Sequence, residues 1–119
     1  MDTPTSSPLQ TFVDRLPVGA VITSFNANDP VILAANRKHA KLTGYRASEV
    51  VGKSPRMFKG ELTEKDVSAE IKDEIAKYHF ANVDITNHKP DGTPYRINLT
   101  VLGVVIDDQK YYLAVKRPI

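Results

Sequence analysis

The chain has 119 residues, enough for one domain of ordinary size that buries about two-thirds of its unfolded surface. Its 41% hydrophobic and 25% charged residues strike a globular balance, which excludes a disordered, collagen-like or coiled-coil chain. Sixteen Lys and Arg against fourteen Asp and Glu leave +2, too little to argue for nucleic-acid or membrane partners, and the lack of cysteine excludes disulfides, thiolate metal sites and cysteine nucleophiles.

The N-terminus has neither the basic start nor the apolar run of a signal peptide, and no apolar stretch approaches a membrane span, so a cytoplasmic location is expected. Residues 1–8, rich in Ser, Thr and Pro, read as a flexible lead-in. Leu9, Phe12, Val13 and Leu16 follow helical spacing and predict a cap helix over 9–16, closed by Pro17; residues 17–119 make the domain proper. Strands are predicted over 19–25 and 31–35 with a turn at 26–30. Asn36 caps a short helix that stops at Thr43 and Gly44, and one further turn spans 47–50. The longest helix is expected from Thr63 to Tyr78, with Glu64 and Asp66 in its first turn and Val67, Ile71 and Ile75 as the stripe that meets a sheet. Three strands finish the chain over 80–89, 93–106 and 111–117, joined by the turns 89–92 and 107–110. The predicted fold class is α+β: a five-stranded antiparallel sheet with short helices and one longer helix on one face.

This order, with Val31-Ile-Leu-Ala-Ala-Asn36, Lys41-Leu-Thr-Gly-Tyr45, Glu49-Val-Val-Gly52 and Lys89-Pro-Asp-Gly-Thr93 at its corners, resembles the PAS domain, the small sensor of signalling proteins. Within that family the corner Gly52-Lys-Ser-Pro-Arg-Met-Phe-Lys-Gly60 is similar to the signature of the flavin-binding LOV branch. The family's cysteine, which attacks the light-excited flavin, would stand at Pro55, a residue with no nucleophile, so the resemblance stops short of adduct photochemistry. It places Arg56 and Lys72 at the flavin phosphate, Lys59 and Ser54 where the signature has Gln and Asn, and Asn87 at the edge of the flavin ring. Ile97 takes the place of a second ring-binding amide, and Lys116 that of the Gln on the last strand.

Read without the resemblance, Arg56, Lys59 and Lys72 are ordinary surface charges, Asn87 finishes a hairpin, and Ile97 is core. Lys116 is different: alternation turns it inward with Tyr112 and Ala114, and an inward Lys must find an acid, reach a pocket mouth or meet an anionic ligand. The pocket is expected between the inner sheet face and the short helices, lined by Val21, Thr23, Ile85, Asn87, Ile97, Leu99 and Ala114. The resemblance implies FMN or FAD as cofactor; the residues alone leave the cofactor open. Haem is not expected, since His79 lies at the very end of the long helix, and His39, His79 and His88 lack metal-ligand spacing.

The resemblance implies a sensory and signal-transduction module that regulates an effector through ligand-dependent packing or dimer contact. The alternatives are a flavin-binding redox or light sensor acting by electron transfer, and a ligand-free dimerisation domain. No phosphate loop, nucleophile elbow or carboxylate pair marks the chain as an enzyme, and a catalytic effector such as a kinase or cyclase is expected beyond the C-terminus of an excised domain. Tyr111, Leu113 and Val115 face outward from the last strand. With Leu9, Phe12 and Val13 of the cap helix they predict a homodimer; the alternative is a monomer whose cap helix folds over its own sheet.

Overall fold

The computed structural model describes residues 7–119; the predicted lead-in over residues 1–6 lies outside them. Helix α1 (Pro8–Asp14) begins where the Ser7 hydroxyl accepts from the Gln10 amide and Pro8 takes the first turn, so Ser7 and Pro8 belong to the helix rather than to the lead-in. Strands β1 (Gly19–Ser24) and β2 (Ile32–Ala35) pair antiparallel, and α2 (Arg37–Thr43), α3 (Ala47–Val50) and a 3-10 turn (Pro55–Phe58) lead to α4 (Lys65–Tyr78). Strands β3 (Phe80–His88), β4 (Pro94–Ile106) and β5 (Gln109–Pro118) complete one five-stranded antiparallel sheet in the order β2-β1-β5-β4-β3.

Two local differences from the sequence reading have simple causes. The last hairpin turns on Asp107 and Asp108 alone, both with positive φ (50° and 64°), the two-residue geometry that suits strand twist; β5 therefore starts at Gln109. Helix α4 starts one residue after Glu64, because Thr63 and Glu64 are used at the sheet edge instead. Strand β3 is an edge strand, and at Thr86 its amide donates to Glu64 (2.9 Å) while its carbonyl accepts from the Thr63 hydroxyl (2.7 Å). Arg96 adds an ion pair to the same carboxylate.

The sheet has two apolar faces. On the inner face Val21, Ile32, Ala35, Val101, Tyr112 and Ala114 pack with Val50 and Phe58 from the helical layer. On the outer face Val13 of α1 packs with Ala20, Ile22, Ala34 and Leu113, and Leu9, Leu16, Tyr111 and Val115 close around them. The apolar strip is covered by the chain's own cap helix, the packing given above as the alternative to a homodimer: Val13 and Leu113 are buried, Leu9, Tyr111 and Val115 are half-buried, and Phe12 stays exposed. Periodicity identified the apolar stripe and left two partners open, the chain's own sheet and a second copy. Helix α1 thus lies on the outer face, apart from the helical layer on the inner one. Toward β3 and β4 the outer face turns polar, with Asn82 donating to Thr100 (2.7 Å) and Asn98 donating to Asp84 (3.0 Å).

Asn36 ties the layers together. Its Oδ1 accepts from the amides of Ala20 (3.1 Å) and His39 (2.9 Å), and its Nδ2 donates to the carbonyls of Val13 (2.9 Å) and Val18 (2.8 Å). One buried amide therefore joins α1, β1 and α2 with every contact satisfied. Gly19 lets α2 approach: a Cβ there would stand 3.2 Å from the His39 Cα.

The Thr86 amide, with the Glu64 backbone amide, Arg96 and the Thr86 hydroxyl adding to it, lowers the Glu64 carboxyl from 4.5 to about 2. A depressed carboxyl stabilises the fold above its unfolded value and loses that contribution as pH falls through the folded one. Glu64→Gln is expected to cost about 1 kcal/mol in urea unfolding at pH 7, allowing for partial exposure, and to match the parent near pH 2. An equal stability of the two proteins at pH 7 would count against this edge contact.

Candidate functional site

A cavity of about 160 Å³ lies between the inner sheet face and the layer formed by the 3-10 turn and α4. Its floor is sheet: Val21 and Thr23 from β1, Ile85 and Asn87 from β3, Leu99 and Val101 from β4, and Tyr112, Ala114 and Lys116 from β5. Its walls are Ser54, Pro55, Arg56, Phe58 and Lys59 around the 3-10 turn, with Ser68, Ile71, Lys72 and Ile75 of α4. Pairing fixes the floor: Val21 lies opposite Ala114, Val101 opposite the same residue, and Leu99 opposite Lys116.

Of the residues singled out from sequence, Ser54, Arg56, Lys59, Lys72, Asn87, Lys116, Val21, Thr23, Ile85, Leu99 and Ala114 all line this cavity. Ile97 does not. It pairs with Ile85 on the predicted face but is fully enclosed, a core residue rather than a lining one. Alternation gives the face of a strand residue and not its depth. The sequence reading turned Tyr112 toward the pocket but did not name Ala27, Asn28, Pro30, Phe58, Ser68, Ile71, Ile75 and Val101 as lining. The i, i+4 stripe of α4 was the signal for Ile71 and Ile75, and the alternation that placed Ala114 inward carried Tyr112 with it.

The mouth is cationic. Arg56, Lys59 and Lys72 are exposed side chains that converge there, and none of the ion pairs among the described residues involves them. Partial burial, then Arg56 and then Lys72, lower the Lys59 ammonium below its usual range. The Ser54 hydroxyl caps the 3-10 turn by accepting from the Arg56 amide (3.2 Å), and the Arg56 guanidinium donates to the Asn28 carbonyl (3.2 Å). Each contact holds the turn and its charge at the rim.

The floor holds a second cation of another kind. Lys116 is 4% exposed, and its Nζ has no hydrogen-bond partner among the described residues. It stands 3.4 Å from the centroid of the Phe58 ring. A cation–π contact of this sort favours the ammonium by about 0.5–2 kcal/mol, whereas burying an unpaired ion costs several kcal/mol. Burial wins, and the Lys116 amine falls from 10.5 to about 7. His39 meets the Phe58 ring edge-on at 5.2 Å, fully buried and with both ring nitrogens unpartnered among the described residues. Burial first, and then the Lys116 charge, hold it neutral by lowering it to about 2.

His79 is engaged elsewhere: it caps α4 in a left-handed conformation, with its Nδ1 2.7 Å from the Tyr112 hydroxyl. Among the described residues no three His, Asp or Glu gather as a metal site, and no helix is long and apolar enough to cross a membrane.

A sheet of this order, with a pocket under a long helix on its inner face, matches a known family over most of its length: the PAS domain pattern covers residues 17–116. The chain belongs to the PAS domain family. A blue-light photoreceptor of Listeria monocytogenes is 30% identical over 95 residues, 80% of this chain and 38% of that protein. A blue-light-activated histidine kinase of Rhizobium johnstonii is 35% identical over 96 residues, 81% of this chain and 27% of that protein. This PAS domain thus spans between about a fifth and two-fifths of the curated relatives it matches. The LOV domain of the Erythrobacter litoralis EL346 blue-light activated histidine kinase has the same fold, with a TM-score of 0.79 at 24% identity over 88% of this chain and 98% of that one. The RsLOV d2 variant superposes with a TM-score of 0.82 at 20% identity, over 94% of this chain and 65% of that one.

Lys116 yields a pH prediction. Its amine is lowered by folding, so between about 7 and 10.5 the unfolded chain binds the extra proton, and stability rises with pH across that window. Relative to Lys116→Met, the parent should gain up to about 1.4 kcal/mol per pH unit there, read by urea unfolding at pH 7, 8 and 9. Parallel profiles for the two proteins would show that the amine titrates normally.

Proposed function

We propose that this PAS domain is a ligand-binding sensory module, LOV-like in sequence, that regulates an effector through ligand-dependent packing and without adduct photochemistry. The observation that carries the reading is the pocket itself: an apolar floor, a cationic mouth, Pro55 in its wall and no cysteine anywhere in the chain. A thioether adduct needs a thiolate, and this chain supplies none. The relatives named for blue light support a sensory role, and their greater length supports an effector such as a kinase in the same polypeptide. A cytoplasmic location belongs to the same reading.

Flavin fits one end of the pocket. Arg56, Lys59 and Lys72 would receive a phosphate, and Asn87 offers an amide on the floor. The ring end does not fit as the LOV pattern would have it: Ile97 is enclosed outside the lining, and Lys116 brings an unpartnered amine backed by the Phe58 ring. The electron-transfer sensor is therefore not adopted, and the ligand is defined by the residues present, as an anion with an apolar body.

Helix α4 is the element such a ligand would move. None of its fourteen residues is fully buried, and its apolar stripe of Val67, Ile71 and Ile75 is only half-covered. Its seating on the sheet thus depends on what fills the space beneath. A ligand preferring one seating shifts the balance by its difference in affinity for the two. Homodimerisation belongs to this reading as well, through the half-buried Leu9, Tyr111 and Val115 and the exposed Phe12.

Two experiments test it. Blue light on the protein with added FMN should leave no thermally relaxing species that absorbs only in the near ultraviolet; such a species would refute the absence of adduct chemistry. The fluorescent monoacid 2-naphthoate should bind, and Arg56→Gln or Lys72→Gln should each weaken it by about 1.5–3 kcal/mol, the range for hydrogen bonds to charged groups. Binding indifferent to both substitutions would remove the pocket from the account.

A further inference from the structure

Residues 59–64 join the two walls of the cavity, the 3-10 turn and α4, and meet the end of the edge strand β3. Three contacts fasten them there. The Thr63 hydroxyl donates to the Thr86 carbonyl (2.7 Å), the Glu64 carboxylate accepts from the Thr86 amide (2.9 Å), and the Leu62 amide donates to Nε2 of His88 (3.2 Å). Leu62 is 61% exposed, so its amide rather than its packing holds that stretch of chain.

A backbone amide can only donate, so Nε2 of His88 keeps its lone pair and the ring is neutral with its proton on Nδ1. That Nδ1 is buried without a partner among the described residues, and His88 as a whole is 8% exposed. Gly60 lies against the ring: a Cβ there would stand 2.4 Å from Cγ and from Nδ1, so the ring has no room to move toward the segment. Protonation takes the lone pair away. It sets an Nε2–H against the Leu62 N–H, two donors where one bond stood, and buries a charge whose other N–H also lacks an acceptor. The imidazolium is satisfied only when the segment lifts and water reaches both nitrogens.

The charged groups around the ring do not take the place of that water. Lys59, Glu61 and Glu64 stand on the segment, Lys89 follows His88 in the chain, and Arg96 lies on β4. Glu64 and Arg96 pair with each other, Lys59 turns to the cavity mouth, and no ion pair among the described residues includes His88. The Glu64 carboxyl, lowered to about 2, keeps its charge and its hold on Thr86 throughout the range in which imidazoles titrate. The start of α4 therefore stays fastened while the stretch before it comes free.

From this arrangement we infer that His88 is a pH-sensitive latch on the segment before α4, closed by the neutral ring and opened by its protonation. Opening frees residues 59–62, and with them the part of the cavity rim that Lys59 supplies. The released state accepts the proton more readily than the latched one, so its population grows as pH falls. The latch does not depend on what the cavity binds.

The test is NMR of the full 15N-labelled chain from pH 7.5 to pH 5. At pH 7.5 the His88 ring nitrogens should show the Nδ1–H tautomer. As the ring protonates, the hydrogen-exchange protection of the Leu62 amide, corrected for the intrinsic pH dependence of exchange, should fall at least tenfold with the same midpoint. Protection of the Thr86 amide should change less than twofold. His88→Gln offers an acceptor that does not titrate and should hold Leu62 protection constant within twofold over the same range. Lys116, lowered to about 7, is still present in that variant, so a fall that persists there belongs to another group and overturns the inference. Should His88→Gln not fold, the parent decides alone, through the coincidence of the two midpoints. An Nε2–H tautomer at pH 7.5, a ring still neutral at pH 5, or Leu62 protection that ignores the ring titration would each overturn it as well.

Discussion

Lys116 is carried into the protein by the sheet. Strand β5 runs between β1 and β4, and its alternation turns Tyr112, Ala114 and Lys116 toward the helical layer, so the amine cannot escape by moving to an edge. Phe58 covers it and no acid answers it. The rest of the site is arranged around this constraint. The 3-10 turn that supplies Phe58 also holds Pro55 and Arg56, and Gly19, opposite Lys116 on β1, leaves the room by which α2 brings His39 close. An ion without a counter-ion is a standing cost to the fold, offset only in part by an aromatic face.

That cost connects stability to function. A domain this size holds its native state by a narrow margin, and an amine lowered to about 7 is a sizeable share of it. Helix α4, which walls the cavity, has no fully buried residue of its own, so its seating depends on the space beneath it. The outer face behaves differently: α1 covers its apolar half, and the side-chain amides of Asn82 and Asn98 satisfy one another and their neighbours on the polar half.

Much of this was legible in the residues. The corners at Asn36, Gly44 and Gly92 and the alternation of β3, β4 and β5 are local signals, and they suffice to mark the strands and turns; with the resemblance to the PAS and LOV pattern they pick out eleven side chains that line one cavity. What was not legible is non-local. The use of Thr63 and Glu64 as edge caps for Thr86 depends on what lies across from a residue, and so does the choice between the two readings that the sequence left open for Ile97, core or lining, and for α1, its own sheet or a second copy. The Phe58 ring over Lys116 is of the same kind, a contact between a turn and a strand 58 positions apart. Strand and helix periods report faces; they do not report which surface a face meets.

The central claim, that the fold buries the Lys116 amine without a partner, is tested most directly by following the Lys116 13Cε resonance through a pH titration of the ligand-free protein. A midpoint near 7, well below the ordinary lysine value of 10.5, is the result this structure predicts. A midpoint near 10.5 would mean that the amine reaches water or an acid, and would contradict it.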